Sequence, residues 1–206
     1  MRRKRIQINQ EGMTLVEALV AICLFAVASA LVASFIIFSF RNYLRTNEEA
    51  LATDKVNINI QNMVEELRKM RTGENGSFPI ELASPNEIIF YADINKDGLT
   101  ERINYFLQND NLMKSVIVPA GEPLEYSEEG VIPTKLAEAV ANDEESPIFK
   151  YLGIDPLGGG ENIELSQPTD LFRVRLVSVS LIVEIGNTDR QRIVESKVML
   201  RNLREY

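Results

Sequence analysis

An uninterrupted apolar segment close to the N-terminus constrains the fold of this 206-residue chain more than any other feature. Residues 18–40 contain no charged residue, no proline and no glycine. As an α-helix these 23 residues would be about 34 Å long, and the hydrocarbon core of a bilayer is about 30 Å thick. The segment therefore predicts a helix that spans a membrane, with residues 13–40 as the transmembrane part.

Four basic residues precede this segment, at positions 2–5. Positive charges before a span favour a cytoplasmic N-terminus, so we expect a single-pass protein of the cytoplasmic (inner) membrane with its C-terminal part outside. Three other interpretations fit less well. The apolar region of a secretory signal is shorter, about 7–15 residues. A buried core helix would be unusually long and uniformly apolar, and a plain signal anchor does not explain the acidic residue Glu17.

Glu17 places a carboxylate at the start of the span. A carboxylate in hydrocarbon costs several kcal/mol unless it is paired, so such a residue is a functional candidate. If the chain were cut between Gly12 and Met13, the new α-amine of Met13 would offer a positive partner. Each charge would then reduce the desolvation cost of the other. Between neighbouring subunits, such a pair would fix the axial register.

The string GMTLVE at residues 12–17 resembles the cleavage and methylation motif of prepilins, in which a glycine is followed by Phe-Thr-Leu-[Val/Ile]-Glu. That family includes type IV pilins, type II secretion pseudopilins and competence pseudopilins, and Met13 stands here where Phe is commonest. The resemblance implies that prepilin peptidase removes residues 1–12 as a leader peptide and methylates the amine of Met13. It also implies that Glu17 meets the amine of an adjacent subunit during assembly.

The same resemblance implies partners and an architecture. The partners would be prepilin peptidase, other pilins or pseudopilins, an inner-membrane assembly platform and the lipid bilayer. The architecture would be α+β, with a long N-terminal helix packed on an antiparallel β-sheet. We expect residues 41–72 to continue the helix as an amphipathic segment that ends near Arg71, and residues 77–206 to form an extracytoplasmic β-rich pilin domain.

Periodicity supports that organisation. A helical stripe of apolar residues is expected to be buried, and it comprises Ile60, Met63, Val64, Leu67 and Met70. Alternating or apolar runs predict strands at residues 87–92, 102–107, 112–118, 171–185 and from about 194 to 203. The alternation shifts within 171–185, which indicates a bulge or a strand buried on both faces. The stretch 119–169 reads as an acidic insert, in which 134–140 is either helical or extended and 146–151 is extended.

A turn between two of these strands has the residues of a calcium loop. Asp93, Asn95, Asp97 and Gly98 match its start, D-x-N-x-D-G. The twelfth position, which needs a bidentate Glu, holds Asn104. The flanks are also strands rather than helices, and Asp, Asn and Gly are common in any hairpin turn. The sequence favours a plain turn, with a Ca²⁺ site as the alternative; no other cofactor is expected.

The composition argues against catalysis and nucleic-acid binding. The chain has no His, and its one Cys, Cys23, lies in the apolar segment, so groups for acid–base or nucleophilic chemistry are scarce. We therefore predict a protein that is not an enzyme. The formal charge of −8 would become −11 without residues 1–12, which carry four positive charges and one negative charge. An acidic chain repels phosphate backbones, so nucleic acid is an unlikely partner.

These observations predict a structural subunit, of the minor or initiating kind, in a type IV pilus-like filament at the cell surface or in the periplasm. A minor pseudopilin of a type II secretion system is the first alternative. A membrane-anchored receptor, such as a competence pilin that binds DNA, is the second. The receptor would need a basic patch, for which the candidates are Arg173, Arg175, Arg190 and Arg192.

Overall fold

A computed structural model describes residues 12, 14–154, 162–167, 169–184 and 191–200, without the side chains of residues 45–53. The chain divides into two compact units, Met1–Glu48 and Glu49–Tyr206. The described part has an α+β architecture, with one long helix followed by antiparallel sheets. The expected α+β class, with a long N-terminal helix and antiparallel strands, is therefore confirmed.

Helix α1 runs from Leu15 to Arg68, over 54 residues. Its N-terminal part, Leu15–Leu44, is long and apolar enough to cross a membrane. The helix ends three residues before the expected Arg71, where the amide of Lys69 donates to the carbonyl of Glu66 in a tighter turn, at 3.0 Å. The sequence therefore predicted one continuous helix correctly and placed its end slightly too late.

The apolar stripe of the second half of α1 is buried, as its spacing predicted. Ile60, Met63, Val64 and Leu67 belong to the core, and Val56 extends the stripe by one turn. Met70 is also buried, but it follows the helix and forms an isolated bridge with Ala92. Met70 therefore lies beyond the helical part of the predicted stripe.

The first sheet is a meander of five strands in chain order. Its second, third and fourth strands confirm the strands predicted at 87–92, 102–107 and 112–118, within one residue at each end. Residues 134–137 are extended rather than helical. The first strand was not predicted. The strands are β1 (Ile80–Ala83), β2 (Glu87–Ala92), β3 (Glu101–Gln108), β4 (Asn111–Ile117) and β5 (Thr134–Ala137).

The remaining strands form a second sheet, so the expectation of a single sheet was wrong. Its order is β7-β6-β8-β9. The strands are β6 (Phe149–Ile154), β7 (Asn162–Glu164), β8 (Leu176–Glu184) and β9 (Gln191–Met199). β5 pairs with β4 and is the last strand of the first sheet. A polar stretch of the chain then connects β5 to β6 in the second sheet. The expected strand end near Leu203 lies outside the described residues.

The shift of alternation within residues 171–185 does not come from a bulge, which was one of its two expected causes. Leu171–Arg173 is a short 3-10 helix, and the side chain of Asp170 caps it by accepting from the amide of Phe172. The pairing of β8 with β9 then continues without a register shift from Leu176 to Glu184. The predicted bulge is therefore wrong, because Phe172 belongs to a turn of helix and not to the strand.

Side chains of α1 and of both sheets share one core in the second unit. Its largest fully buried members are aromatic, namely Tyr105, Tyr151, Phe90 and Phe149. Polar contacts fix the layers in place. The amide of Asn59 on α1 donates to the carbonyl of Leu136 on β5 at 2.7 Å, and the hydroxyl of Tyr151 on β6 donates to the carbonyl of Ser84 at 2.9 Å.

Candidate functional site

Residues 14–17 of the predicted processing motif form the start of α1 and its cap. The amide and the hydroxyl of Thr14 both donate to Oε2 of Glu17, each at 2.9 Å. The amide of Glu17 donates back to the Thr14 hydroxyl at 3.3 Å. This reciprocal arrangement is a capping box, which satisfies amide groups that a helix N-terminus leaves without partners. Sequence reasoning missed this role, although the Thr-x-x-Glu spacing is its signature.

The predicted cleavage site directly precedes this cap. Gly12 is exposed, and no atom of the described residues lies within 4 Å of where a Cβ atom would stand. Met13, the predicted site of methylation, lies outside the described residues. The structure thus places Glu17 at the N-terminal end of the span.

The span exposes apolar side chains on every side of the helix. No residue of Leu15–Leu44 is buried against another described residue. Leu15, Ile22, Phe25, Phe35 and Ile36 are each exposed over more than half of their surface. The hydroxyls of Ser29 and Ser34 donate to the carbonyls four residues earlier, at 2.8 Å. Such hydroxyls need no water, which suits an apolar surrounding.

The three predicted calcium ligands lie in one loop, between β2 and β3. Backbone amides donate to all three side chains. Asp93 accepts from Lys96 at 2.6 Å and from Gly98 at 3.3 Å, Asn95 accepts from Asp97 at 2.9 Å, and Asp97 accepts from Leu99 at 2.8 Å. These bonds shape a tight turn, as the plain-turn interpretation expected. In the described ranges, no three His, Cys, Asp or Glu side chains gather as a metal-binding group.

Two further charged residues, which sequence reasoning missed, contact this loop. The guanidinium of Arg71 donates to the carbonyl of Gly98 and to the hydroxyl of Thr100, each at 2.6 Å, and lies 3.8 Å from Oδ2 of Asp93. Glu101, the first residue of β3, is buried, and its Oε2 accepts from the amide of Ile94 at 3.0 Å. No periodic pattern marks either residue, because both contacts depend on how the chain folds back.

A second charged cluster lies on the first sheet. The guanidinium of Arg102 makes a bidentate contact with Glu81, with both bonds at 2.7 Å, and lies 3.0 Å from Glu128. The hydrogen bond from Arg102 holds the pKa of Glu81 below its ordinary value, and that same bond raises the pKa of Arg102. This cluster links β1 to β3.

The arginines proposed for a basic patch are only partly available. Arg175 uses its guanidinium within the protein, where Nη1 donates to the carbonyls of Phe172 and Val174 at 3.0 and 3.1 Å. Arg173 and Arg192 are exposed, and Arg190 lies outside the described residues.

No protein-family model matches the chain, and no curated protein matches it. The case for a function therefore rests on the residues and their geometry.

Proposed function

We propose that this protein is a structural subunit, of the minor or initiating kind, of a type IV pilus-like filament, and that prepilin peptidase cleaves it after Gly12. The observation that carries the proposal is the Gly12-to-Glu17 motif, which overlaps the start of a candidate membrane span, Leu15–Leu44. The α+β architecture, with a long N-terminal helix before antiparallel sheets, is compatible with a pilin.

The exposed apolar surface of the span supports the membrane part of the proposal. Burying one large aliphatic or aromatic side chain is worth about 1.5–3 kcal/mol, and the residues from Leu15 to Phe40 expose many of them. Such a surface requires lipid or other apolar helices around it. The basic residues at positions 2–5 favour a cytoplasmic N-terminus, and the second unit would then lie outside the cytoplasm.

Glu17 has two roles in this proposal. In the single subunit it caps α1 together with Thr14. In the filament its negative charge would pair with the α-amine of Met13 of a neighbouring subunit. In apolar surroundings an opposite charge is worth far more than in water. The capping bonds explain how the carboxylate is tolerated before assembly, and the amine would provide specificity during assembly.

Analysis of the N-terminus tests the processing step. The protein isolated from the cells that produce it should begin with N-methylated Met13, as determined by mass spectrometry of the terminal peptide. An intact leader, or a new terminus beyond Phe40, would contradict the proposal. Replacing Gly12 by a bulky residue should prevent the cut, whereas the same replacement at Asn9 should leave it unchanged.

Two variants separate the charge of Glu17 from its capping role. Glu17→Gln retains a residue that a capping box accepts but removes the charge. Thr14→Val removes the capping hydroxyl, at a cost of about 1 kcal/mol, and retains the charge. We expect both to be inserted and cleaved, and only Glu17→Gln to lose cross-linking to other pilin-like subunits. Normal cross-linking of Glu17→Gln would refute the register role.

A further inference from the structure

β9 forms the one long sheet edge in the described residues. β1 and β5 end the first sheet and have four residues each, and β7 ends the second sheet with three. β9 has nine residues, and in the described part of the chain it pairs with β8 alone. A long open edge offers a row of backbone groups to another strand unless something covers it. β9 is therefore the edge of this fold at which a further strand can be added.

The hydrogen bonds of β8 show which backbone groups of β9 face away from it. The amide of Ser180 on β8 donates to the carbonyl of Ile148 at 2.8 Å, on the side of β6. In an antiparallel sheet the backbone groups of alternate residues point to opposite sides of the strand. The neighbouring residues of β8 therefore point towards β9, where Val179 lies opposite Ser196. The backbone groups that point to the open edge are consequently those of Ile193, Glu195 and Lys197.

The side chains along this edge are complementary to themselves. Glu195 and Lys197 are 52% and 62% exposed, and Ile193 and Met199 on the same face are 64% and 50% exposed. A second β9 that runs antiparallel, with Ser196 opposite Ser196, would place its Lys197 opposite Glu195. The same register would place Ile193 opposite Met199 of the second copy. Each contact would occur twice by symmetry, and opposite charges that face each other across two strands stabilise their pairing.

The alternative registers are less favourable. Only a register that brings outward-pointing residues opposite each other forms the backbone hydrogen bonds of an antiparallel pair. A twofold axis at Glu195 or at Lys197 would satisfy this condition, but it would place two like charges directly opposite each other, which is destabilising. An axis at Val194 would place Ile193 opposite a carboxylate, that of Glu195. Charge and backbone geometry therefore favour the axis at Ser196.

We propose that two copies of this chain associate by antiparallel pairing of their β9 strands across a twofold axis at Ser196, and that Glu195 and Lys197 set the register. The second sheets of the two copies would then join edge to edge. A symmetric dimer uses the same surface on both subunits, which the self-complementary order of charges in β9 provides. Pairing of two strand edges covers few side chains, so the association should be weak and should depend on concentration. The inference does not depend on cleavage after Gly12.

Disulfide trapping of the full-length protein, in membranes of the cells that produce it, tests the register. Every variant also carries Cys23→Ser, because Cys23 is the chain's one cysteine. Ser196→Cys should form a linked dimer on oxidation, since residues opposite each other in a non-hydrogen-bonded pair have Cα atoms about 4.5 Å apart, within the range of a disulfide. Arg192→Cys, exposed on the same strand, is the control. Arg192 would face Leu200 of the second copy, so its two copies would lie about 26 Å apart and should not be linked.

Exchange of the two charges, made in the Ser196→Cys protein, tests their role. Lys197→Glu alone, or Glu195→Lys alone, brings like charges opposite each other in both symmetric pairs. Each should lower the yield of linked dimer at least about fivefold. Production of the two variants together, with different tags, should restore the yield as linked heterodimers. Both changes in one chain should also restore it, which controls for correct folding.

Four results would overturn the proposal. They are the absence of a Ser196→Cys link, an equal link from Arg192→Cys, a yield that neither single charge change lowers, and a yield that production of both variants together does not restore. An edge that is covered by another segment of the same chain, or by a different protein, would give the first of these results. A dimer held together by the membrane spans alone would give the third.

Discussion

Replacing Glu66 by Ala should remove two hydrogen bonds that join α1 to the first sheet. Oε1 of Glu66 lies 2.6 Å from Nζ of Lys114 on β4, and Oε2 accepts from the hydroxyl of Tyr105 on β3 at 2.6 Å. The side chains of Glu66 and Lys114 are only 13% and 16% exposed. Both bonds are therefore charge-assisted and shielded from water, which makes them stronger than ordinary surface contacts.

The size of the effect follows from what the change leaves behind. Removing one partner of a fully buried ion pair costs about 3–5 kcal/mol. Lys114 retains some contact with water and lies 5.4 Å from the centre of the Tyr105 ring, so its share of that cost is smaller. The Tyr105 hydroxyl, however, loses its acceptor, which costs about 1–3 kcal/mol. We expect the free energy of unfolding to fall by about 2–4 kcal/mol in total.

Thermal unfolding of the full-length protein in detergent measures this change. The chain contains no Trp, so near-ultraviolet circular dichroism of its tyrosines is a suitable signal. At about 2–4 °C per kcal/mol, the melting temperature should fall by about 4–16 °C. Glu66→Gln retains an acceptor for Tyr105, so its melting temperature should lie between those of the unaltered protein and Glu66→Ala. Glu65→Ala, an exposed neighbour, is the control. Equal melting temperatures for Glu65→Ala and Glu66→Ala would refute the reasoning.

Two further predictions concern the second unit. Because Arg102 lowers the pKa of Glu81 from 4.5, the unfolded chain binds this proton more readily, so the stabilisation is complete above pH 4.5 and is lost as the pH falls through the lowered pKa. Glu81→Gln should therefore lose less melting temperature than the unaltered protein on acidification, and an equal loss would contradict this. Met63→Ala, at a fully buried position, should lower the free energy of unfolding by about 2–5 kcal/mol in urea titration. Ile58→Ala, 56% exposed, should cost much less, and similar losses would contradict the assigned helix face.

The local periodicity of apolar residues was sufficient to predict the helix and the strands that bury one face. The stripe from Ile60 to Leu67 and the alternation of β3 both follow from repeating contact with one core. Short strands offered no such pattern. β1 has four residues and β7 has three, and each exists because a longer neighbouring strand provides hydrogen-bond partners. The division into two sheets could not be predicted either, since it depends on which edges remain open after distant segments pair.

Some residues of the candidate sites could be identified from the sequence, and others only from the fold. Glu17 was identifiable from the sequence because a charge beside an apolar run is anomalous wherever it points. Its capping bond with Thr14 was also readable, since the spacing lies within one helical turn. Glu101 was not identifiable, because its contact with the amide of Ile94 depends on how the chain folds back. Arg71 contacts Gly98 across the chain reversal between α1 and β3, and no local pattern predicts that contact.

The apolar surface of the span cannot by itself drive the proposed assembly. Lipid tails are as apolar as leucine, so transfer of a helix from bilayer to filament gains little from the hydrophobic effect. Close packing and polar pairs must supply the difference. Glu17 is the only charged residue between positions 14 and 40, so it is the one group there that can distinguish an amine-bearing neighbour from lipid. Because Thr14 already satisfies part of its hydrogen-bonding capacity, only the surplus of the amine contact over the capping bonds would favour the filament. That surplus makes the charge of Glu17, rather than its size, the property on which assembly would depend.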